Sequence, residues 1–252
     1  MADVLLNISI GLLTSAIGAV AGWLLQSLRR RRAAARRQAF FGLPGGSQGL
    51  LVVNRHPASP HHKSVHRGDV SALMELAVLV SSCAARPEIV NHDEVRRGLG
   101  REAEFCLGGP ASNERTVTHL AWRLPAVRFG CEADRPDALS ISVGDREFRE
   151  EAAGPATPGC CYALLARLEP DGGGRPVFLI AGQTAVANQA AVRYLTGHQR
   201  ELARRHGTHG TFAVVLRVIG PDRYGPDVVE FAADLTAAAT APAGAVPPAR
   251  TG

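Results

Sequence analysis

Val4 to Leu25 (VLLNISIGLLTSAIGAVAGWLL) is a run of 22 residues without a charge. Coiled as an α-helix, it has about the length needed to span the hydrocarbon core of a bilayer. Six arginines follow it, Arg29 to Arg32, Arg36 and Arg37, whereas only Asp3 precedes it. A secretory signal peptide would reverse this order, with positive charge ahead of a shorter apolar core. Positive charge marks the cytoplasmic side of a span. The pattern therefore predicts one transmembrane helix over residues 1–28, with the N-terminus outside the cell and the rest of the chain cytoplasmic. The bilayer is the expected partner of residues 4–25, and anionic lipid that of Arg29–Arg37.

The same arginines account for the net charge. The whole chain carries 28 basic and 23 acidic residues; without the six arginines the count is 22 against 23, a net of −1. The remainder is not a basic nucleic-acid binder. The five cysteines lack metal-ligand spacing, and Cys160-Cys161 is an adjacent pair, not a C-x-x-C motif. A reduced cytoplasmic domain has no need of disulfides. Lys63 is the only lysine, and its polar loop offers little of the desolvation that an amine nucleophile requires.

Residues 29–49 read as a basic juxtamembrane segment and a Gly/Pro linker. From residue 50, apolar strands alternate with amphipathic helices: GLLVVN, EIVNH, AEFCLGG and AVRFG are the strands of the first half. A helix follows Asp69, which is placed to cap it. In the second half, ALSISVGDREFRE, CYALLARLEP, RPVFLIAG, TFAVVLRVIG and DVVEFAADL are strand patterns, and DGGG between the second and third signals a hairpin. Residues 184–207 form the longest helical pattern of the domain. Alternation of this kind predicts an α/β fold over residues 50–235, a Rossmann-like, mixed but mainly parallel sheet with flanking helices. The Ala/Pro-rich stretch 236–252 is predicted to be a disordered tail.

Two strand-to-helix turns stand out. In EFCLGGPASNERT (104–116), Gly108 and Gly109 permit an abrupt exit from a buried strand, and Pro110 suits a first helical position. The N–H groups of Ala111, Ser112 and Asn113 would then face away from the helix and favour an anion; a plain capping role for Ser112 or Asn113 is the alternative. LIAGQTAVANQ (179–189) repeats the pattern, with Gly182 at the turn and Thr184 as cap. Both turns belong at the carboxyl edge of the sheet, where open α/β folds bind ligands. The loop after the first strand belongs there too, with Arg55, His56, His61, His62, Lys63, His66 and Arg67. The candidate ligand-binding residues are Arg55, Asp69, Gly108, Gly109, Pro110, Ser112, Asn113, Thr116, Gly182, Thr184 and Asn188.

Neither turn is G-x-G-x-x-G or a Walker A loop, so no particular cofactor is indicated. A metal held by the clustered histidines is disfavoured by Pro57 and Pro60 and by the lack of a cysteine or carboxylate among them. Ser112 or Cys106 as a nucleophile would need a base, and nothing in the spacing selects His119 or Glu114, which are expected on the solvated face of their helix.

GGPASN (108–113) and VFLIAGQTAVANQAAVRYL (177–195) together resemble a Rossmann-like domain of archaeal S-layer proteins. There a Gly-Gly-Pro-x-x-Asn turn is followed by a later strand–Ala-Gly–helix turn. The chain also resembles the cytoplasmic part of uncharacterised actinobacterial membrane-anchored proteins. The resemblance implies the fold and the pairing of the two loops, and no catalytic residue. The function expected from all of this is a membrane-anchored sensor or adaptor that binds a small anionic, nucleotide-like ligand or a partner. The alternatives are a hydrolase or transferase acting on a nucleotide or nucleotide-sugar, and a membrane-tethered structural oligomer.

Overall fold

GLLVV and VFLIA, and AEFCL apart from Glu104, are apolar without alternation, and they form adjacent parallel strands covered on both faces, as such runs require. The protein is seen here as a computed structural model that describes residues 1–56, 64–95, 100–131, 139–155, 157–170 and 172–242. For residues 2–16 and Cys131 the backbone alone is described. The first half of the chain runs through α1 (Ala2–Phe41), β1 (Gln48–Val53), α2 (Arg67–Ser82), β2 (Arg86–Asn91), β3 (Ala103–Leu107) and α3 (Glu114–Arg123). Then come β4 (Val127–Cys131), β5 (Leu139–Val143), β6 (Arg146–Arg149), β7 (Cys160–Leu168) and β8 (Val177–Gly182). The chain closes with α4 (Ala185–His206), β9 (Phe212–Ile219), α5 (Pro221–Tyr224), β10 (Val229–Asp234) and α6 (Thr236–Thr240).

The main sheet has seven strands in the order β10-β9-β7-β8-β3-β1-β2. β2, β1, β3 and β8 are mutually parallel, and β7 runs against both β8 and β9. With β10 antiparallel to β9, five of the seven strands point the same way. This is an α/β fold with a mixed, mainly parallel sheet and flanking helices. The DGGG segment does lead from β7 into an antiparallel β8.

Side-chain alternation divides the core into two layers. On one face Leu51, Phe105, Leu107, Phe178 and Ile180 pack with α2, α4 and the end of α1. On the other, Val52, Cys106, Leu179 and Ala181 pack with Leu120 and Leu124 and with Ile141, Val143 and Phe148. The last three belong to a separate antiparallel sheet, β4-β5-β6, so the strands from 127 to 149 do not extend the main sheet.

Four boundaries differ from the sequence reading. Residues 29–41 are not linker: α1 continues through them, and Phe40, Phe41 and Leu43 are fully buried in the core. His66, not Asp69, caps α2, its Nδ1 accepting from Gly68 N at 3.0 Å. The helix after Pro110 begins only at Glu114, because Ser112 N and Asn113 N both donate to Gly109 O at 3.0 Å in a preceding turn. The expected tail contains α6, whose Ala239 is buried; residues 243–252 lie outside the described residues. Among the described residues, no helix is long and apolar enough to cross a membrane. The expected span of 4–25 lies within α1, and the side chains of its first part, to residue 16, are outside the described set.

Candidate functional site at the carboxyl edge

The chain passes from β1 through α2 to β2 on one side, and from β3 through β8 on the other. α2 lies over one face of the sheet and α3 over the opposite face. The carboxyl ends of β1 and β3 are therefore a topological switch point, where an open α/β sheet leaves a crevice. Asn54 at the end of β1 and Gly108 at the end of β3 meet there. Gly108 has φ of +95°, and a Cβ on it would lie 2.7 Å from Asn54 Cβ and 2.8 Å from Ser112 Oγ. Only glycine satisfies both restrictions.

The three loops after β1, β3 and β8 are joined by hydrogen bonds. Arg55 N donates to Ser112 O at 2.9 Å. Asp69, 3 % exposed in the first turn of α2, accepts from Asn54 Nδ2 at 2.9 Å and from Asn188 Nδ2 at 2.8 Å. Asn188 Oδ1 in turn accepts from Gly182 N at 2.7 Å. The sheet edge and the starts of α2 and α4 are thus tied by one buried carboxylate, stabilised also by its place at a helix N-terminus. Asn54 was not among the sequence candidates; its only sequence signal is being the polar residue that ends the apolar run GLLVV.

Most of the expected ligand-binding side chains serve the protein itself. Asn113 caps α3, accepting from Thr116 N at 3.1 Å, and donates to Leu107 O at 2.8 Å. Thr116 Oγ1 donates to Gly108 O at 3.0 Å, and Ser112 Oγ to Gly109 O at 3.2 Å. Thr184 caps α4 through Ala187 N at 3.1 Å. Pro110 is half-buried in the turn. What faces the crevice is Gly109, with Phe129 of β4 and Gly182 O both just under 4 Å from where its Cβ would stand, and the exposed Arg55. His56 and His66 lie beside it, their ring centres 5.5 Å apart and their planes tilted by 37°. His61, His62 and Lys63 lie outside the described residues. Asn54 Oδ1 is buried without a hydrogen-bond partner, an unmet acceptor at the floor of the switch point.

A second polar cluster lies beneath α3. Glu104, the second residue of β3, accepts from Arg115 Nε at 2.8 Å, Arg115 Nη2 at 3.0 Å, His119 Nε2 at 2.9 Å and Cys106 Sγ at 3.0 Å. His119 is buried rather than on the solvated face, and its partner is Glu104, not Glu114. Burial alone raises the Glu104 pKa, but the hydrogen bonds from His119 and Arg115 outweigh it and hold the carboxyl at about 2. Burial, reinforced by the neighbouring carboxylate, pushes the Cys106 thiol well above its usual value. The Glu104, Cys106 and His119 ligand atoms lie within 4.8 Å of one another, a donor set suited in type to zinc. A metal there would have to displace the bidentate Arg115 and deprotonate a thiol held neutral. The group is a buried ion pair that ties α3 to the sheet, and Cys106 is neither accessible nor nucleophilic.

The fold and this crevice define a Rossmann-like α/β domain with its candidate site at the switch point. No protein-family model matches the chain, and no curated protein is similar to it in sequence.

Proposed function

We propose that this protein is a single-pass membrane-anchored protein whose cytoplasmic α/β domain binds a small phosphate-bearing, nucleotide-like ligand at the β1/β3 switch point, in a sensor or adaptor role. The observation that carries the reading is Asn54 Oδ1, buried and unpartnered at the crevice floor, where a ligand hydroxyl would satisfy it. The exposed Arg55 supplies a positive charge for a phosphate beside it. The absence of a side chain at Gly109 allows a ligand to approach the backbone closely. The anchor is argued from Val4–Leu25 and the arginines that follow. The likeness of the two turns to the Rossmann-like domain of S-layer proteins supports the same pairing of loops.

Gly109 is the residue with which to test the site. A Cβ there meets only ordinary contacts, whereas one at Gly182 would sit 2.7 Å from Asn188 N and displace backbone. The Gly109→Asp protein is expected to melt as the wild type does while losing the response to ligand. A nucleotide at about a hundred times its Kd stabilises the wild type by about 2.7 kcal/mol, several degrees in Tm. A thermal-shift panel of nucleotides and nucleotide-sugars on the full chain measures both. If Gly109→Asp keeps every shift, or no ligand shifts the wild type, the turns only pack and the site reading fails.

Orientation is tested separately. Cys160 and Cys161 are buried and unsuited to labelling, whereas Ala111 is exposed. An Ala111→Cys protein is expected to react with an impermeant maleimide only after cells are opened; reaction in intact cells would put the domain outside.

A further inference from the structure

α1 reaches the sheet at its amino edge, opposite the crevice, and its last turns lie beside α4. Between them is a groove of about 420 Å³, lined by Ala33, Ala34 and Arg37 of α1 and by Gly197, Gln199 and Arg200 of α4. The groove exists because alanine and glycine stand where larger side chains would close it. Two of its polar atoms are unmet: Arg37 Nε, a donor, and Gln199 Oε1, an acceptor, are both buried without hydrogen-bond partners, although the Arg37 guanidinium also interacts with Cys83. Buried polar atoms in native structures are almost always paired, so two orphans in one groove call for an occupant. Arg30 stands one turn above Ala33 and Ala34 on the same side of α1, and Arg204 one turn beyond Arg200 on α4. The surround is therefore strongly positive.

We infer that this groove binds the headgroup of an anionic phospholipid, one that carries a phosphodiester and a hydroxyl, as phosphatidylglycerol does. The phosphodiester accepts from Arg37 and Arg200, and the hydroxyl donates to Gln199 Oε1. The inference rests on the reading of α1 as a membrane anchor, which sets the depth. Arg30 and Ala33 lie two and five residues past Leu28, about 3–8 Å along the helix axis. The headgroup layer of one leaflet is about 5–8 Å thick. Ala33 therefore stands at headgroup depth, whereas Arg37, nine residues past Leu28 and about 13–14 Å along the axis, lies beneath that layer and reaches back toward it with its long side chain. The ligand crevice at the opposite sheet edge faces away from the bilayer. A soluble phosphate monoester offers related chemistry, and the test separates the two sources.

The test uses the full chain in mild detergent, titrated with phosphatidylglycerol or phosphatidylcholine and weighed by native mass spectrometry. The wild type is expected to retain one phosphatidylglycerol in preference to phosphatidylcholine, which lacks the hydroxyl. Retention should fall roughly tenfold or more in Arg37→Ala/Arg200→Ala, which removes two cationic contacts. Ala34→Leu, which fills the groove at an exposed position, should have a similar effect without touching any charge. All three proteins should still float with phosphatidylcholine vesicles, because the apolar run is unchanged. Undiminished retention in both variants, equal retention of the two lipids, or displacement by glycerol phosphate at equal concentration would each overturn the assignment. A wild type that retains phosphatidylglycerol but does not float would refute the anchor while upholding the groove.

Discussion

Replacing Arg115 by alanine is expected to lower stability by about 3–5 kcal/mol, the cost of stranding a buried charge. Glu104 is 3 % exposed, and its two carboxylate oxygens take four hydrogen bonds, two of them from Arg115. Without the guanidinium, His119 and the Cys106 thiol remain, too little to offset removal of a carboxylate from water. Glu104→Gln should cost less, because the Arg115 side chain is 16 % exposed and can turn toward solvent. Joint replacement by Glu104→Leu and Arg115→Leu should cost less than Arg115→Ala alone, since no charge is left buried. The same pair sets an acid limit. Glu104 has a folded pKa of about 2 against an ordinary 4.5, so its contribution is complete above about 4.5 and is lost as pH falls toward 2. A difference of that size corresponds to about 3 kcal/mol. Chemical denaturation of the wild type should show this fall, and the Arg115→Ala protein should show a much shallower one. If the two proteins have equal stability and equal acid profiles, the ion pair contributes nothing.

This cluster also shows what the sequence could and could not reveal. The strands were legible because burial on both faces of a parallel sheet demands continuous apolar runs, and GLLVV and VFLIA have no other use. The carboxyl-edge turns were legible because Gly108 and Gly182 end such runs. Glu104 is a charge inside an apolar strand, and its meaning depends on Arg115 and His119, which reach it only once α3 folds back across the sheet. The four-residue spacing of Arg115 and His119 places them on one helical face, but nothing local says that the face is buried. His119, expected on the solvated face, is buried. Pro110 misled for a related reason. Its fixed φ suits a helix start, yet the chain first makes a turn on Gly109 O and leaves capping to Asn113. Asn54 is a single polar residue whose importance comes from Asp69, which also holds Asn188, 119 positions further along the chain.

A fragment beginning at residue 45 should fail to fold, whereas one beginning at residue 36 should give a cooperative domain. QAFFGLPGGSQG has the glycine and proline of a linker, but its two phenylalanines are the end of α1 and part of the core. Phe40 packs against Phe41, Phe178 and Phe212 with ring centres 5.0, 5.9 and 6.4 Å away, and Phe41 against Phe178 and Phe105 at 5.5 and 6.3 Å. Arg167, wholly buried, lies with Cζ 5.3 Å from the Phe40 ring centre and donates to Gly210 O and Glu169 Oε2. Gly42, left-handed at φ 64°, ends the helix with Leu43 N donating to Gln38 O at 2.9 Å, and a Cβ there would collide with Pro176. Truncating one buried phenylalanine costs about 3–5 kcal/mol. Losing both, with Leu43 left loose and Arg167 deprived of its aromatic cover, approaches the whole stability of a domain, about 5–15 kcal/mol. Phe40→Ala in the longer fragment should by itself lower the melting temperature by ten degrees or more, on the scale of roughly 2–4 °C per kcal/mol. Thermal unfolding followed by circular dichroism distinguishes the outcomes. Equal melting of the fragments from 36 and from 45 would mean that the phenylalanines are not structural. The expected result makes α1 a rigid stalk whose buried end joins the domain to the rest of the helix without a flexible joint, which holds the carboxyl-edge crevice and the arginine-rich groove in set positions.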